Sequence, residues 1–212
     1  MAKRLLYLLD PLCGWCYGAA PALSLINDIP DMEVELCPTG LFSDEGVRPL
    51  DDAFAAHAWG NDQRISALSG QIFSELYRTR ILADRNQQIN SGPATVALTA
   101  VSLTAPERQV DALKAIQHAR YVDARDITDT DTLVALLREI GLEQAALTLA
   151  EGNQELLNAS QRRTEHGRSL MKLYGARGVP TFVLNRGNES SILPTAAAYS
   201  NPKAFAEQLA AA

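Results

Sequence analysis

Two cysteines stand two residues apart at a strand-to-helix junction, and no other feature restricts the chain as much. Residues 13–16 read Cys-Gly-Trp-Cys, after the apolar run Arg4 to Leu9 and before a segment of helical periodicity. The first turn of a helix brings two such side chains together, and its free N–H groups and macrodipole favour the thiolate of Cys13. Because the thiolate is the form that attacks disulfides, the pair predicts a redox site.

The N-terminal pattern predicts a βαβ unit. The run Arg4 to Leu9 fits a strand buried on both faces, the apolar spacing from Cys13 up to Pro30 fits one helix, and Met32 to Leu36 alternates like a second strand. A right-handed crossover makes the two strands parallel and places the cysteine pair at the carboxyl edge of the sheet.

Residues 51–174 show only helical periodicity, and strands return near the C-terminus. The first helix of this block is predicted to carry one apolar stripe, formed by Ile65, Leu68, Ile72, Phe73, Leu76 and Tyr77. Residues 179–184 predict a strand that forms a hairpin through a turn at 185–188, and a last helix is predicted from Asn201. The chain is therefore predicted to be an α/β domain, residues 1–50 and 175–212, with an all-helical insertion at 51–174.

Charge and composition exclude several function classes. The chain has 212 residues, with 19 Lys and Arg against 25 Asp and Glu, a net charge of -6 and no dense basic run. This balance argues against nucleic acid and anionic membranes as partners. The start of the chain has no complete signal-peptide pattern and no apolar stretch could span a bilayer, so we expect a cytoplasmic protein, where a Cys-x-x-Cys is more often catalytic or metal-binding than structural.

A proline leads the predicted C-terminal strand, within Gly-Val-Pro-Thr-Phe at residues 178–182. Proline has no N–H to donate to a sheet, so a proline at the start of a strand requires a structural explanation. We expect a cis bond between Val179 and Pro180, which turns the Val179 backbone outward beside the cysteines and offers it to an extended peptide. A trans proline at a strand edge is the alternative.

These motifs in this order resemble the DsbA-like branch of the thioredoxin fold. Residues 10–18, Asp-Pro-Leu-Cys-Gly-Trp-Cys-Tyr-Gly, are similar to the FrnE-related bacterial group described as predicted protein-disulfide isomerases, as are residues 69–73, 90–94, 117–121 and 126–129. The resemblance covers nearly the whole chain. It implies a thioredoxin fold with a helical insertion, a cis-proline opposite the site, and thiol-disulfide exchange.

The resemblance also implies roles for individual residues. Cys13 is the exposed attacking cysteine, Cys16 the buried resolving cysteine and Pro180 the cis-proline. Apart from the resemblance, the position of Trp15 between the cysteines and the backbone of Val179 beside them lead us to expect that both meet the substrate. The partner is then a protein or small molecule that contains a disulfide or thiol. No cofactor or metal beyond the redox dithiol is expected, and glutathione is a candidate reductant or co-substrate.

One position departs from the best-known relatives. The acidic residue that they bury in the first strand, beneath the resolving cysteine, is replaced by Tyr7, so a proton acceptor is missing there. Asp10 is a candidate proton relay for Cys16. It can equally end the strand and cap the approach to the helix. Cys37, on the second strand, is expected to be a small buried hydrophobic residue.

Three other functions use the same residues. A structural zinc site needs four ligands, and no second cysteine pair or Cys/His pair follows at a suitable spacing. Kappa-class glutathione transferases and 2-hydroxychromene-2-carboxylate isomerases share the split fold, but they generally lack a residue equivalent to Cys16. A non-catalytic peptide-binding module is the third alternative. The sequence favours a cytoplasmic protein-disulfide reductase or isomerase and leaves the direction of electron flow open.

Overall fold

The chain carries its sheet strands at its two ends and is mostly helical in between. The structure is a computed structural model that describes residues 3–187 and 189–211, so Asn188 of the predicted turn and residues 1, 2 and 212 lie outside it. In chain order the elements are β1 (Lys3–Leu9), α1 (Gly14–Gly18), α2 (Ala20–Asn27), β2 (Met32–Pro38), β3 (Arg48–Pro49), α3 (Asp52–Ser69), α4 (Glu75–Arg80), β4 (Gln88–Ile89), α5 (Gly92–Thr104), α6 (Gln109–Tyr121), α7 (Thr130–Glu139), α8 (Glu143–Glu151), α9 (Gln154–Tyr174), β5 (Thr181–Arg186), β6 (Glu189–Ile192), α10 (Ala196–Ser200) and α11 (Pro202–Ala211).

Strand β1 is one of the two inner strands of a four-stranded sheet with the order β2-β1-β5-β6. It pairs in parallel with β2 and antiparallel with β5, and β5 forms the predicted antiparallel hairpin with β6. All of Leu5 to Leu9 is buried, as expected for a continuous apolar run between two covered faces. The predicted βαβ and ββα units, and the thioredoxin-like sheet that they form, are therefore confirmed.

The single helix predicted from Cys13 to Pro30 is two helices. The chain breaks at Ala19, and α2 begins with Pro21 in its first turn. Proline has no N–H, so the carbonyl of Tyr17 cannot receive its usual helical hydrogen bond. The side chain of Gln71 donates to that carbonyl instead, at 3.0 Å. A residue of the helical insertion thus completes the cysteine-bearing helix.

The apolar stripe predicted from Ile65 to Tyr77 on one helix is wrong. Helix α3 ends at Ser69 because Gly70 adopts a left-handed conformation (φ 72°), and α4 starts only at Glu75. Ile72 is consequently 61% exposed, while Ile65 is fully buried. The insertion is also not purely helical, because β4 pairs with β3 in a short antiparallel ladder.

The sheet and the insertion share one hydrophobic core. A continuous cluster of buried side chains joins Tyr7 and Phe182 of the sheet to Leu98 and Leu113 of the insertion. The domain boundaries 1–50, 51–174 and 175–212 stay a prediction. Within residues 3–187 and 189–211, none of the helices has both the length and the apolar character needed to cross a membrane.

Helix α9 crosses β2 at an unusually short distance, and glycine makes this possible. A Cβ atom added at Gly167 would lie 2.1 Å from the carbonyl oxygen of Pro38. We expect Gly167→Ala to lower the free energy of unfolding by about 1–3 kcal/mol, because the helix must move away from the strand. Thermal unfolding followed by circular dichroism measures this change.

Gly60 is a matched control for that substitution. It lies within α3, where an added Cβ would meet no heavy atom within 4 Å. Gly60→Ala should raise the free energy of unfolding by about 0.5–1 kcal/mol through helix propensity alone. Equal effects of the two substitutions would contradict the close packing of α9 on β2.

Candidate active site

The two cysteines of residues 13–16 lie at the start of α1, at the edge of the sheet. Cys13 is the N-cap residue, with extended backbone (φ -82°, ψ 116°), and Cys16 lies within the first turn. The N–H of Cys13 donates to the carbonyl of Asp10 at 3.0 Å, and its own carbonyl accepts from Tyr17 N–H at 3.1 Å. All three cysteines of the chain are free thiols in the structure.

Cys13 is more covered than the resemblance implies. It is 7% exposed, whereas Cys16 is fully buried. Cys13 does, however, line a cavity of about 480 Å³, together with Trp15 and Val179. The insertion supplies much of the cavity wall.

Val179 lies next to Cys13 although 166 residues separate them. The Sγ of Cys13 donates to the carbonyl oxygen of Val179 at 3.6 Å. The bond between Val179 and Pro180 is cis, the isomer expected from the sequence, and Pro180 is buried. The backbone of residue 179 therefore forms one wall of the site.

Trp15 is half-buried at the rim of the cavity. Its ring meets the ring of Tyr199 edge to face, with centroids 5.4 Å apart. Such aromatic pairs favour one ring orientation. Trp15 is thereby held by α10 while still lining the cavity.

Tyr7 lies beneath Cys16, where the best-known relatives carry an acid. Its hydroxyl donates to the carbonyl oxygen of Cys16 at 3.2 Å. Burial raises the pKa of Tyr7 well above its ordinary value, and the neighbouring Cys16 raises it further. Burial also raises the pKa of the Cys16 thiol, as does the adjacent Cys13. At neutral pH both groups are protonated, and Tyr7 cannot take a proton from Cys16.

The carboxyl group of Asp10 joins the cysteine-bearing loop to the insertion. Its Oδ1 accepts from Leu12 N–H at 2.9 Å, and its Oδ2 accepts from Phe42 N–H at 3.1 Å and from the Ser91 hydroxyl at 2.7 Å. Burial raises the pKa of Asp10, and these hydrogen bonds oppose the rise. The strand-ending role weighed for Asp10 matches these contacts, while its part in proton relay stays a prediction.

A second contact from the insertion holds the same loop. The hydroxyl of Tyr121 donates to the carbonyl oxygen of Leu12 at 2.8 Å, and the Tyr121 ring stacks on Tyr17 with centroids 4.8 Å apart. Phe73 meets both rings edge to face. This aromatic cluster sets the position of the residue that precedes Cys13.

The cavity wall carries charged groups that the sequence does not single out. Arg48, Arg120 and Arg177 line it, opposed by the carboxyl of Asp62, and His57 lies beside them. Arg120 is 4% exposed, with its guanidinium 5.5 Å from the centroid of the Tyr77 ring. Arg120 and Tyr121 lie within residues 117–121, which resemble the FrnE-related group, so the sequence could have pointed to them. No motif or spacing in the sequence points to Asp62.

Outside the cavity, one group of side chains among the described residues has potential metal ligands. The ligand atoms of Glu35, Cys37 and His166 lie within 4.8 Å of one another. Arg4 already pairs with Glu35 at 2.7 Å, and burial raises the pKa of the Cys37 thiol well above its ordinary value. A metal prefers the deprotonated thiol, so this chemistry does not favour a metal there. Cys37 is buried, as predicted.

The comparisons with known proteins agree with this architecture. The family model described as DSBA-like thioredoxin domain matches residues 6–210. The cytosolic disulfide reductase DsbM from Pseudomonas aeruginosa is 32% identical, with 97% of this chain and 96% of that chain covered and a TM-score of 0.88. A structure of DsbM with GSH matches at 31% identity, with the same coverage and a TM-score of 0.85. No curated protein matches the chain.

The family match covers nearly the whole chain, including both cysteines and the strand that follows Pro180. The two DsbM structures extend it over almost the full length of both proteins. The chain therefore belongs to the DSBA-like thioredoxin domain family and is a DsbA-like thiol-disulfide oxidoreductase.

Proposed function

We propose that the chain is a disulfide reductase or isomerase of the FrnE-related group, in which Cys13 attacks and Cys16 resolves. The thiolate of Cys13 attacks a substrate disulfide and forms a mixed disulfide. Cys16 then displaces the substrate as a thiol and closes the Cys13–Cys16 disulfide. Trp15 and the backbone of Val179 contact the substrate, beside the cis bond to Pro180.

The difference in access between the two cysteines carries this proposal. Cys13 lines the cavity, while Cys16 is fully buried behind it. A substrate can therefore meet the first sulfur and not the second. Attack from Cys13 followed by resolution from Cys16 is the order of events that this arrangement supports.

Reduction is the favoured direction. A glutathione pool more reducing than about -220 mV keeps most such dithiols reduced in a cytoplasm. The relative DsbM is described as a cytosolic disulfide reductase. We propose the same compartment and the same direction for this chain.

Glutathione is the proposed reductant or co-substrate. The relative DsbM has a structure with GSH. Among the described residues, three arginines and one aspartate line the cavity beside Cys13, so its charge favours a ligand with carboxylates. Glutathione has two carboxylates and one thiol, which suits both the charge and the sulfur chemistry.

Trapping tests the proposed roles of the cysteines. In Cys16→Ser the mixed disulfide on Cys13 has no resolving thiol and should accumulate. Intact-mass spectrometry under non-reducing conditions, after incubation with oxidised glutathione or a disulfide-containing peptide, should find the adduct in most molecules. Cys13→Ser should form none, and Cys37→Ser should turn over like the unchanged protein.

The same variants separate the proposal from its rivals. Retained glutathione transferase activity in Cys16→Ser, with no trapped adduct, would favour the kappa-class alternative. Peptide binding that is unchanged in Cys13→Ser, in a protein without reductase activity, would favour the binding module.

Alkylation measures the difference in access directly. In the reduced, folded protein iodoacetamide should modify Cys13 at least about tenfold faster than Cys16 or Cys37, because a reagent needs both exposure and thiolate. Peptide mapping at successive times gives the three rates. In denaturant the rates should converge, and faster modification of Cys16 in the folded protein would reverse the proposed roles.

A further inference from the structure

One buried carboxyl group at the cavity, that of Asp62, has no part in the cysteine chemistry described so far. Asp62 belongs to α3 and is 3% exposed. A Cβ atom added at Gly14 would lie 2.6 Å from its Oδ1. The carboxyl group therefore lies directly against the residue that follows Cys13, in the wall of the same cavity.

A hydrogen bond from Tyr77 orients this carboxyl group. The Tyr77 hydroxyl donates to Oδ2 of Asp62 at 3.2 Å, so Oδ1 is the oxygen that faces Gly14. Burial raises the pKa of Asp62 to about 7, and the Tyr77 hydrogen bond and the charge of Arg120 oppose the rise. At neutral pH the protonated and ionised forms coexist.

Other titratable or charged groups surround the same cavity. They come from the loop before α1, from β3, α3, α4 and α6, and from the loop before β5: Cys13, Arg48, His57, Tyr77, Arg120, Tyr121 and Arg177. Of these, Tyr77 and Arg120 act on the pKa of Asp62. Burial keeps Tyr77 and Tyr121 protonated, because it raises the pKa of each well above its ordinary value.

We propose that Asp62 is the proton donor to the substrate thiolate that leaves when Cys13 attacks a disulfide, an inference that rests on the proposed thiol-disulfide exchange. The Cys13 thiolate forms a bond to one substrate sulfur, the substrate S–S bond breaks, and the second sulfur leaves with the electron pair. The O–H of Asp62 gives its proton to that sulfur, which departs as a thiol. The carboxylate of Asp62 then regains a proton from water.

The second half of the exchange closes the proton balance. Cys16 loses its thiol proton and attacks the Cys13 sulfur, and the first substrate sulfur leaves and takes up one proton. In sum, two thiols of the protein become a disulfide and one substrate disulfide becomes two thiols. The proton released when Cys13 ionised equals the proton that Asp62 takes from water.

Asp62 suits this task better than the other buried acid at the site. Both carboxyl oxygens of Asp10 accept hydrogen bonds that tie the loop to the insertion. Asp62 lines the cavity where a substrate lies, and Asp10 is not among the cavity-lining residues. A proton donor must reach the leaving sulfur, so of these two acids Asp62 is the one placed to act.

Two disulfides with different leaving groups test the proposal. An alkyl disulfide such as hydroxyethyl disulfide releases a weakly acidic thiol that needs a proton, whereas Ellman's reagent releases a strongly acidic aromatic thiolate that does not. In stopped-flow measurements at pH 6.5, Asp62→Asn should react with the alkyl disulfide about tenfold more slowly or worse. With Ellman's reagent its rate should stay within about threefold.

The pH dependence of the reaction rates distinguishes a proton-donor role of Asp62 from a purely structural one. The protonated form of Asp62 declines as pH rises through about 7. The alkyl-disulfide rate, divided by the Ellman's-reagent rate, should fall across that range in the unchanged protein and stay flat in Asp62→Asn. Asp111→Asn, at an exposed ion pair of α6, is the matched control and should keep the fall.

Tyr77→Phe keeps the test decisive if Asp62→Asn fails to fold. It removes the hydrogen bond that lowers the pKa of Asp62, so the fall should move to higher pH. Equal losses with both disulfides, or an inflection that neither variant moves, would overturn the role of Asp62. Failure of the exchange itself would look different, because Cys13→Ser would then reduce both disulfides as fast as the unchanged protein.

Discussion

The pairing of β1 with β5 is the constraint on which the site depends. These strands come from opposite ends of the chain, and their register sets Leu8 opposite Thr181. The loop that leaves β1 and the loop that enters β5 therefore meet at one edge of the sheet, where Cys13 Sγ lies 3.6 Å from the Val179 carbonyl. A register shift of one residue would reverse the faces of the strand and separate these two groups.

The helical insertion determines the environment of the cysteines that the sheet positions. Its side chains hold the loop before Cys13, through Ser91 on Asp10 and Tyr121 on Leu12. It also supplies Asp62 and Arg120 to the cavity wall. Burying charged groups is costly unless each has partners, and here Asp10 accepts three hydrogen bonds while Arg120 lies near aromatic rings and Asp62. The sheet and the insertion therefore share one hydrophobic core, and both contribute residues to the same cavity.

The sequence predicts the fold well where a strong local signal exists. The apolar run of β1 and the alternation in β2 each act within a few residues, and each prediction agrees with the structure. Prediction fails where two local signals compete. Pro21 divides the first helical pattern into α1 and α2, and Gly70 ends α3 in the middle of an apolar periodicity that continues beyond it. In both places backbone chemistry overrides the spacing of apolar side chains.

By itself the sequence determines that the chain carries a dithiol at a strand-to-helix junction, a proline at the start of a later strand and a helical segment between them. These are properties of short segments, set by backbone preference and local spacing. Only the tertiary structure decides that Cys13 is mostly covered and that Asp62 faces Gly14. Burial and pKa depend on side chains brought together from distant parts of the chain, and such contacts follow from packing, which no short segment specifies.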